Sequence, residues 1–213
     1  MGLAGAGMFG VFLFLTFYLQ NTLGFSPIQS GLAFLPMSAA IIATATTATT
    51  RLVPRLGAKP LVMTGMTFAA GAMAFFAQLQ VDSSYAAHIL PGLVLLGIGL
   101  GLVFAPAFST ATVGVANSDA GVASAMVNTS QQVGGSVGNA LLSTLAGSAV
   151  TSYAVDHGTS QAAMAAAAVH GYTTAFYWSA AIFALGAILS GIVLRSGAPQ
   201  VATAPAGEPV LAH

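Results

Sequence analysis

Gly134-Gly135-Ser136-Val137-Gly138 has the glycine–x–serine–x–glycine spacing that can expose a nucleophilic serine. That chemistry needs a sharp strand-to-helix turn, a base and an acid to orient the base. His170 can be cast as the base, but it falls at the outer edge of the last apolar stretch, and no acidic residue lies near Ser136. The residues around Ser136 read as one continuous helix, so helix packing is the better reading of these glycines. The four acidic residues, Asp82, Asp119, Asp156 and Glu208, all fall in loops or in the tail. No apolar stretch therefore carries a carboxylate for acid–base work or for a proton relay. The four histidines, His88, His157, His170 and His213, are scattered without metal-ligand spacing, and cysteine is absent. No metal, no cofactor and no enzymatic activity is expected. Four basic residues balanced by four acidic ones leave no footprint for nucleic acid.

The polar residues with an informative pattern are amides. Ser124, Asn128, Gln132, Gly135, Asn139 and Ser143 recur at steps of three and four, which puts them on one face of a helix over Gly121–Ser148. The other faces carry Val122, Met126, Val127, Val133, Val137, Leu141 and Leu145. An unpaired polar group in hydrocarbon costs several kcal/mol, so this face must look at other helices or at a water-filled cavity. Two readings stand: a transport pathway, or amides that only hold a bundle together. Gly134 and Gly138 form a GxxxG pair that lets a second backbone approach, and Gly97 and Gly101 form another small-xxx-small contact.

Such a helix needs a membrane around it, and the composition supplies one. Hydrophobic residues make up 56% of the 213 and charged residues 4%, against ~25% charged in a soluble domain. A span needs ~20 mostly apolar residues, and six segments qualify. They are Gly2–Asn21, Pro27–Leu52, Pro60–Leu79, Tyr85–Thr110, Gly121–Ser148 and Gly171–Leu194. The first lacks a basic leader and a clear cleavage site, so it reads as a retained span. Ser26-Pro27-Ile28-Gln29 predicts a capped helix start, and Pro36 a kink in the second helix. Thr44, Thr46, Thr47, Thr49 and Thr50 can bond back to the preceding turn. Asn117-Ser118-Asp119-Ala120 is the expected turn and cap before the fifth helix. Thr151–His170 is expected to be an outside loop with a short helix over Ala162–Ala168. Three of the four basic residues, Arg51, Arg55 and Lys59, share one short loop, which makes that loop cytoplasmic. The loop can set topology, bind anionic lipid or latch a cytoplasmic mouth. Arg195 marks the inside again, and Ser196–His213 is a Pro/Ala/Gly-rich tail expected to be disordered. Both termini are then cytoplasmic.

Three stretches also resemble a known family. Tyr18-Leu19-Gln20-Asn21-Thr22-Leu23-Gly24-Phe25-Ser26-Pro27 through Leu35-Pro36 resembles the opening of the carboxy-terminal half of fourteen-span drug:proton antiporters of the EmrB/QacA type, within the major facilitator superfamily (MFS). Pro91-Gly92-Leu93 through Ala105-Pro106, and Gly121-Val122-Ala123-Ser124 with Asn128-Thr129-Ser130-Gln131-Gln132-Val133-Gly134-Gly135, are similar to its later signatures. The resemblance covers about Met8–Leu194. Arg55-Leu56-Gly57-Ala58-Lys59 looks like a degenerate copy of the superfamily's cytoplasmic loop motif, with Pro54 where an acid usually stands. The acid's role is therefore not carried over.

The resulting expectation is an all-α membrane protein, a six-transmembrane-helix bundle forming one half of the MFS fold from two inverted three-helix repeats. Residues 1–195 would be that domain and 196–213 the cytoplasmic tail, in the plasma membrane. The resemblance implies efflux of amphipathic small molecules by alternating access, driven by protons. It also implies that the amino-terminal half, with the proton-linked acid, is not in this chain. Tyr18, Gln20, Asn128, Gln131, Gln132 and Asn139 are the expected cavity or half–half interface, with the Phe residues of the first helix adding apolar contact. Arg51, Arg55, Gly57 and Lys59 form the expected gate loop, and Gly97, Gly101, Gly134 and Gly138 the packing sites. The partners are the bilayer, a small-molecule substrate, and the missing half or a second copy. A half-transporter acting as a homodimer and a non-transporting membrane subunit are the alternatives.

Overall fold

The computed structural model describes residues 1–112, 115–116 and 119–194. The tail Ser196–His213, Arg195, and Asn117 and Ser118 of the expected turn lie outside the described residues. Six long helical segments follow one another: α1 (Gly2–Thr22), α2 (Pro27–Leu56), α3 (Ala58–Phe76), α4 (85–112), α5 (Ala120–His157) and α6 (Gln161–Val193). Five of the described helices are long and apolar enough to cross a membrane. The exception among the six is α5, whose row of amides and hydroxyls lowers its apolar content although its 38 residues are ample in length.

Local chemistry accounts for most helix ends. Ser26 caps α2 through a complete capping box: its Oγ accepts the Gln29 N–H at 3.2 Å, and its own N–H donates to Gln29 Oε1 at 2.8 Å. The expected kink at Pro36 is a break two residues earlier. The first helical piece ends at Ala33, Phe34 bends the chain, and the helix restarts at Leu35 with proline in its first turn, where a missing N–H is harmless. Thr46, Thr47, Thr49 and Thr50 donate to the carbonyls four residues back at 2.7–2.9 Å, which satisfies each hydroxyl within its own helix. Between α2 and α3 a single residue, Gly57, turns the chain with φ at +78°, a region that favours glycine.

The expected outside loop over Thr151–His170 is mostly helix. α5 runs on to His157, Gly158 ends it at φ +84°, and Ser160 starts α6 by accepting the Ala163 N–H at 3.2 Å. Ala162–Ala168 is the first part of α6, as the helix propensity of alanine favours, rather than a separate short helix. At ~1.5 Å per residue, α5 and α6 span roughly 57 and 50 Å, well beyond the ~30 Å of a hydrocarbon core. Their shared tip is closed by Tyr153, whose ring stacks on His157 at 4.0 Å and meets His170 at 5.2 Å.

The helices pack with an internal symmetry. α1 lies against α5 and α6, while α4 lies against α2 and α3, and α3 meets α6. Exchanging helices 1–3 with helices 4–6 maps this pattern onto itself; the α5–α6 contact is the departure. Contact registers give the directions. Met37 and Ile41 of α2 face Gly97 and Gly101 of α4 in the same order, so that pair is parallel. Gly2, Ala6 and Gly10 of α1 face Gly134, Gly138 and Leu142 of α5, again in parallel. Gly7 and Gly10 of α1 meet Phe183 and Ser179 of α6, an antiparallel pair. Three helices per repeat, an odd number, leave the second repeat inverted.

Small residues make the two parallel seams close. A Cβ on Gly101 would stand 2.8 Å from the Ile41 carbonyl oxygen, and one on Gly97 2.5 Å from that of Met37. A Cβ on Gly134 would collide with Gly2, one on Gly138 with Ala6, and one on Gly5 with the Gln131 carbonyl. At the opposite end from Arg51–Lys59, two tyrosines tie the repeats together. Tyr18 of α1 donates to the Gln80 carbonyl in the α3–α4 turn at 2.5 Å. Tyr85, at the start of α4, donates at 2.8 Å to the Ala33 carbonyl, which the α2 break leaves free.

Replacing Gly101 or Gly134 with valine should cost roughly 1–3 kcal/mol by overpacking the seam. Thermal unfolding in detergent checks this, with Gly147→Ala, which meets nothing within 4 Å, as the neutral comparison. Tyr18→Phe should cost about 1 kcal/mol, since it strands the Gln80 carbonyl, and the same melt measures it.

Candidate transport face

α5 divides into three faces. Gly135, Gly138, Leu142 and Ala146 are buried against α1 and α6. Val122, Met126, Val133, Val137 and Leu141 form an exposed apolar face, each 49–67% accessible. Between these two runs the amide row: Asn128 and Gln132 are exposed, Gln131 and Asn139 are half-buried, and Ser143 is exposed. Several hydroxyls on the helix, those of Ser130, Ser136, Thr144 and Thr151, are satisfied locally. Ser130 donates to the Met126 carbonyl at 2.8 Å and Ser136 to the Gln132 carbonyl at 3.0 Å. Ser136 thus sits mid-helix with its proton committed to the backbone, and His170 is bound up with Tyr153 at the far tip. The glycine–x–serine–x–glycine spacing builds no nucleophile here.

The amides have no such local partner. Unlike Gln78, whose Nε2 donates to the Ala74 carbonyl four residues back at 3.2 Å, these amides make no hydrogen bond to their own helix, so their partners must come from elsewhere. Asn139 shows the consequence: its Oδ1 is buried and accepts no hydrogen bond from the protein. A buried unpaired amide oxygen is costly, and the described part of the bundle offers it no donor. Asn139 lies one turn beyond Gly135, whose Cα packs on the ring of Phe9. Phe9 and Phe12 of α1 are themselves 36% and 39% exposed, and Phe12 meets Phe34 of α2 at 5.1 Å between ring centres. α2 continues the open surface with Ile28, Leu32, Leu35 and Ile42, all more than half exposed. The open side of the bundle therefore carries aromatic rings and aliphatic side chains beside a line of amides.

The other expected site residues fall as follows. Tyr18 is fully buried and does not reach this surface; it holds the α3–α4 turn instead. Gln20 is half-buried on the π-helical turn Tyr18–Thr22 that ends α1. Arg51 and Arg55 are exposed, Gly57 is buried in its turn, and Lys59 is half-buried in the first turn of α3. The four packing glycines lie in the two parallel seams. Gly2 and Gly5, opposite Gly134 and Gln131, escaped the sequence reading. Their spacing with Ala6 and Gly10 is itself a small-residue stripe, and that stripe was the available signal. Tyr85 and Tyr172 carried no signal beyond being interfacial aromatics; Tyr172 sits edge-on to Tyr18 at 6.5 Å.

Comparison with known proteins agrees with this architecture. The family model described as Major Facilitator Superfamily matches residues 1–139. The puromycin resistance protein of Streptomyces alboniger is 42% identical over 92% of this chain, which covers 39% of that protein. The cephamycin export protein of Amycolatopsis lactamdurans is 41% identical over 70% of the chain and 30% of its own length. The tetracenomycin C resistance and export protein of Streptomyces glaucescens is 35% identical over 70% of the chain and 28% of its own length. The chain thus spans about two fifths or less of these relatives. With inverted three-helix repeats, apolar helices and a family match over more than half its residues, the chain belongs to the Major Facilitator Superfamily.

Proposed function

We propose that this chain is the carboxy-terminal six-helix half of a fourteen-span, proton-driven exporter of amphipathic small molecules in the plasma membrane. Its two termini would be cytoplasmic, with residues 1–195 as the membrane domain and 196–213 as a tail. The observation that carries the reading is the open face, where Asn128 and Gln132 are exposed, and the half-buried Asn139 lies one turn from Gly135, on which the partly exposed Phe9 packs. Amides cannot face hydrocarbon cheaply, so a second six-helix unit and a water-filled pathway are the natural cover. Relatives whose names speak of resistance and export are more than twice as long, with room for that unit in the same chain. This favours a missing half over a second copy. Aromatic rings would take up the apolar part of a substrate, and the amides would donate and accept its hydrogen bonds.

The proton step belongs elsewhere in this reading. Asp82, Asp119 and Asp156 lie in a turn, at a helix start and in a last turn, so the described helix interiors offer no carboxylate to titrate. The acid would come from the covering half. Arg51, Arg55, Gly57 and Lys59 would form the cytoplasmic latch.

In membranes of the source cell, the working product should run well above the 21.1 kDa of this chain on an immunoblot. In the full exporter, Gln132→Ala should lower proton-dependent efflux of a fluorescent amphipathic cation roughly five- to tenfold, the equivalent of one hydrogen bond. Unchanged flux would remove α5 from the pathway. The chain contains no cysteine, so single cysteines report cleanly. Gln132→Cys should react with a water-soluble maleimide roughly tenfold faster than Met126→Cys, because only a thiol in water ionises readily. Equal rates would mean that both faces see the same medium.

A further inference from the structure

A second feature lies at the other end of the bundle from Arg51–Lys59. There the first part of α2, Ser26–Ala33, is set apart from the rest of its helix. Phe34 bends the chain between the two pieces, and Pro36 has no N–H to give the Leu32 carbonyl, so the helical ladder has a gap at the joint. The first piece is stiff in itself, with proline in its first turn and a complete capping box. Its main packing partners are the π-helical turn that ends α1 and its own continuation in α2. It is a short rigid rod on a soft joint.

The near end of the rod is anchored and the far end is latched. The Phe25 N–H donates to the Leu19 carbonyl at 2.9 Å, which ties the near end to α1. At the far end the Tyr85 hydroxyl donates to the Ala33 carbonyl at 2.8 Å, which ties the joint to α4. The same tyrosine ring lies 6.0 Å from that of Phe25 between centres. Between the rod and Tyr85 is a cleft of about 340 Å³, lined by Phe25, Gln29, Leu32, Ala33 and Tyr85, which leaves this side of the rod loosely packed. The latch is thus one hydrogen bond from one residue.

Ser30 acts against the latch. It is 2% exposed, and its Oγ finds no hydrogen-bond partner among the described residues. Other hydroxyls on α2 donate to the carbonyl four residues back, as Ser38 does to that of Phe34, but Ser30 does not. Because Ser30 is enclosed by this bundle, a unit that covers the open face cannot reach it. A buried hydroxyl without a partner costs as much as one hydrogen bond gains, or more. Latch and orphan are therefore of the same order, and the latched state is narrowly preferred. Release of the rod returns the Ser30 hydroxyl to water at the helix ends.

We propose that Ser26–Ala33 is a hinged strap that opens and closes at the Phe34 joint, with Tyr85 as its latch and Ser30 as the group that favours opening. Ile28 and Leu32 belong both to the strap and to the open face. In the exporter reading the strap is the gate at the end of the pathway away from Arg51–Lys59. That role rests on the exporter reading; the strap itself does not.

Hydrogen–deuterium exchange of the intact chain in mild detergent reads the strap alone and needs no transport. In the wild type, the amides of residues 30–34 should exchange roughly tenfold faster than those of residues 38–47, through local opening. Tyr85→Phe should speed the strap amides about fivefold, the equivalent of one hydrogen bond, and leave the seams at Gly97–Gly101 and Gly134–Gly138 unchanged. Ser30→Ala should slow the strap amides about tenfold, beyond the roughly threefold at most that the helix propensity of alanine supplies. Should Tyr85→Phe fail to fold, Phe25→Leu takes its ring away from the latch and should speed the strap roughly threefold. A wild-type strap as protected as residues 38–47 would overturn the proposal. So would a Ser30→Ala strap slowed threefold or less, or a latch variant whose effect is absent or spread evenly over the chain.

Discussion

Close approach of helix backbones is the constraint on which the rest of this structure depends. Hydrocarbon is as apolar as leucine, so burying side chains supplies little drive for one membrane helix to seek another. What remains is dispersion across surfaces that fit, and the fit is best where no Cβ intervenes. The Gly97/Gly101 stripe brings α4 against the backbone of α2, and the Gly2/Gly5/Ala6 stripe brings α1 against Gly134 and Gly138 of α5. These are equivalent seams in the two repeats, related by the same exchange that maps helices 1–3 onto 4–6. The first helix of each repeat carries glycines in its seam, but only in the α1–α5 seam does the partner helix carry them too. The symmetry is therefore one of packing more than of residue identity.

Those seams decide where the polar groups go. Once Gly134, Gly135 and Gly138 turn one side of α5 inward, Asn128, Gln132 and Ser143 are left at its open edge and Asn139 half inside it. The glycine stripe and the amide row are two parts of one design. The first fixes the rotation of the helix; the second is aimed by it. The same logic places Phe9: it lies on the flank of the α1 seam, packs on Gly135, and still shows a third of its surface to the open side. An unpaired acceptor such as Asn139 Oδ1 marks the point where the described bundle stops satisfying itself.

Several structural elements were legible in the residues. The capping box at Ser26 and Gln29, the back-bonded threonines of α2 and the polar face of α5 are local features, set by spacing within one turn or by the helical period. The errors have physical reasons too. Thr151–His170 reads as a loop because its polarity fits an outside segment, yet polarity does not prevent a helix, and alanine promotes one; only Gly158 and Ser160 break the chain there. Pro36 marks a disturbance in α2, but proline is tolerated in a first turn, so the chain breaks before it. Tyr18 carries an interfacial signature, and which carbonyl its hydroxyl finds depends on a turn some sixty residues away.

Composition, period and spacing by themselves determined that this chain is a helical membrane bundle, how many long helices it has, and which helix carries amides. Each follows from forces acting within a segment: the cost of an unpaired polar group in hydrocarbon, and the periodicity of a helix. Only the tertiary structure decided which helices touch, which glycines face which carbonyls, and that Tyr18 is buried while Phe9 and Phe12 are open. These depend on how rigid rods with uneven surfaces fit together. Such a fit is a property of pairs distant in the chain, and no single stretch encodes it.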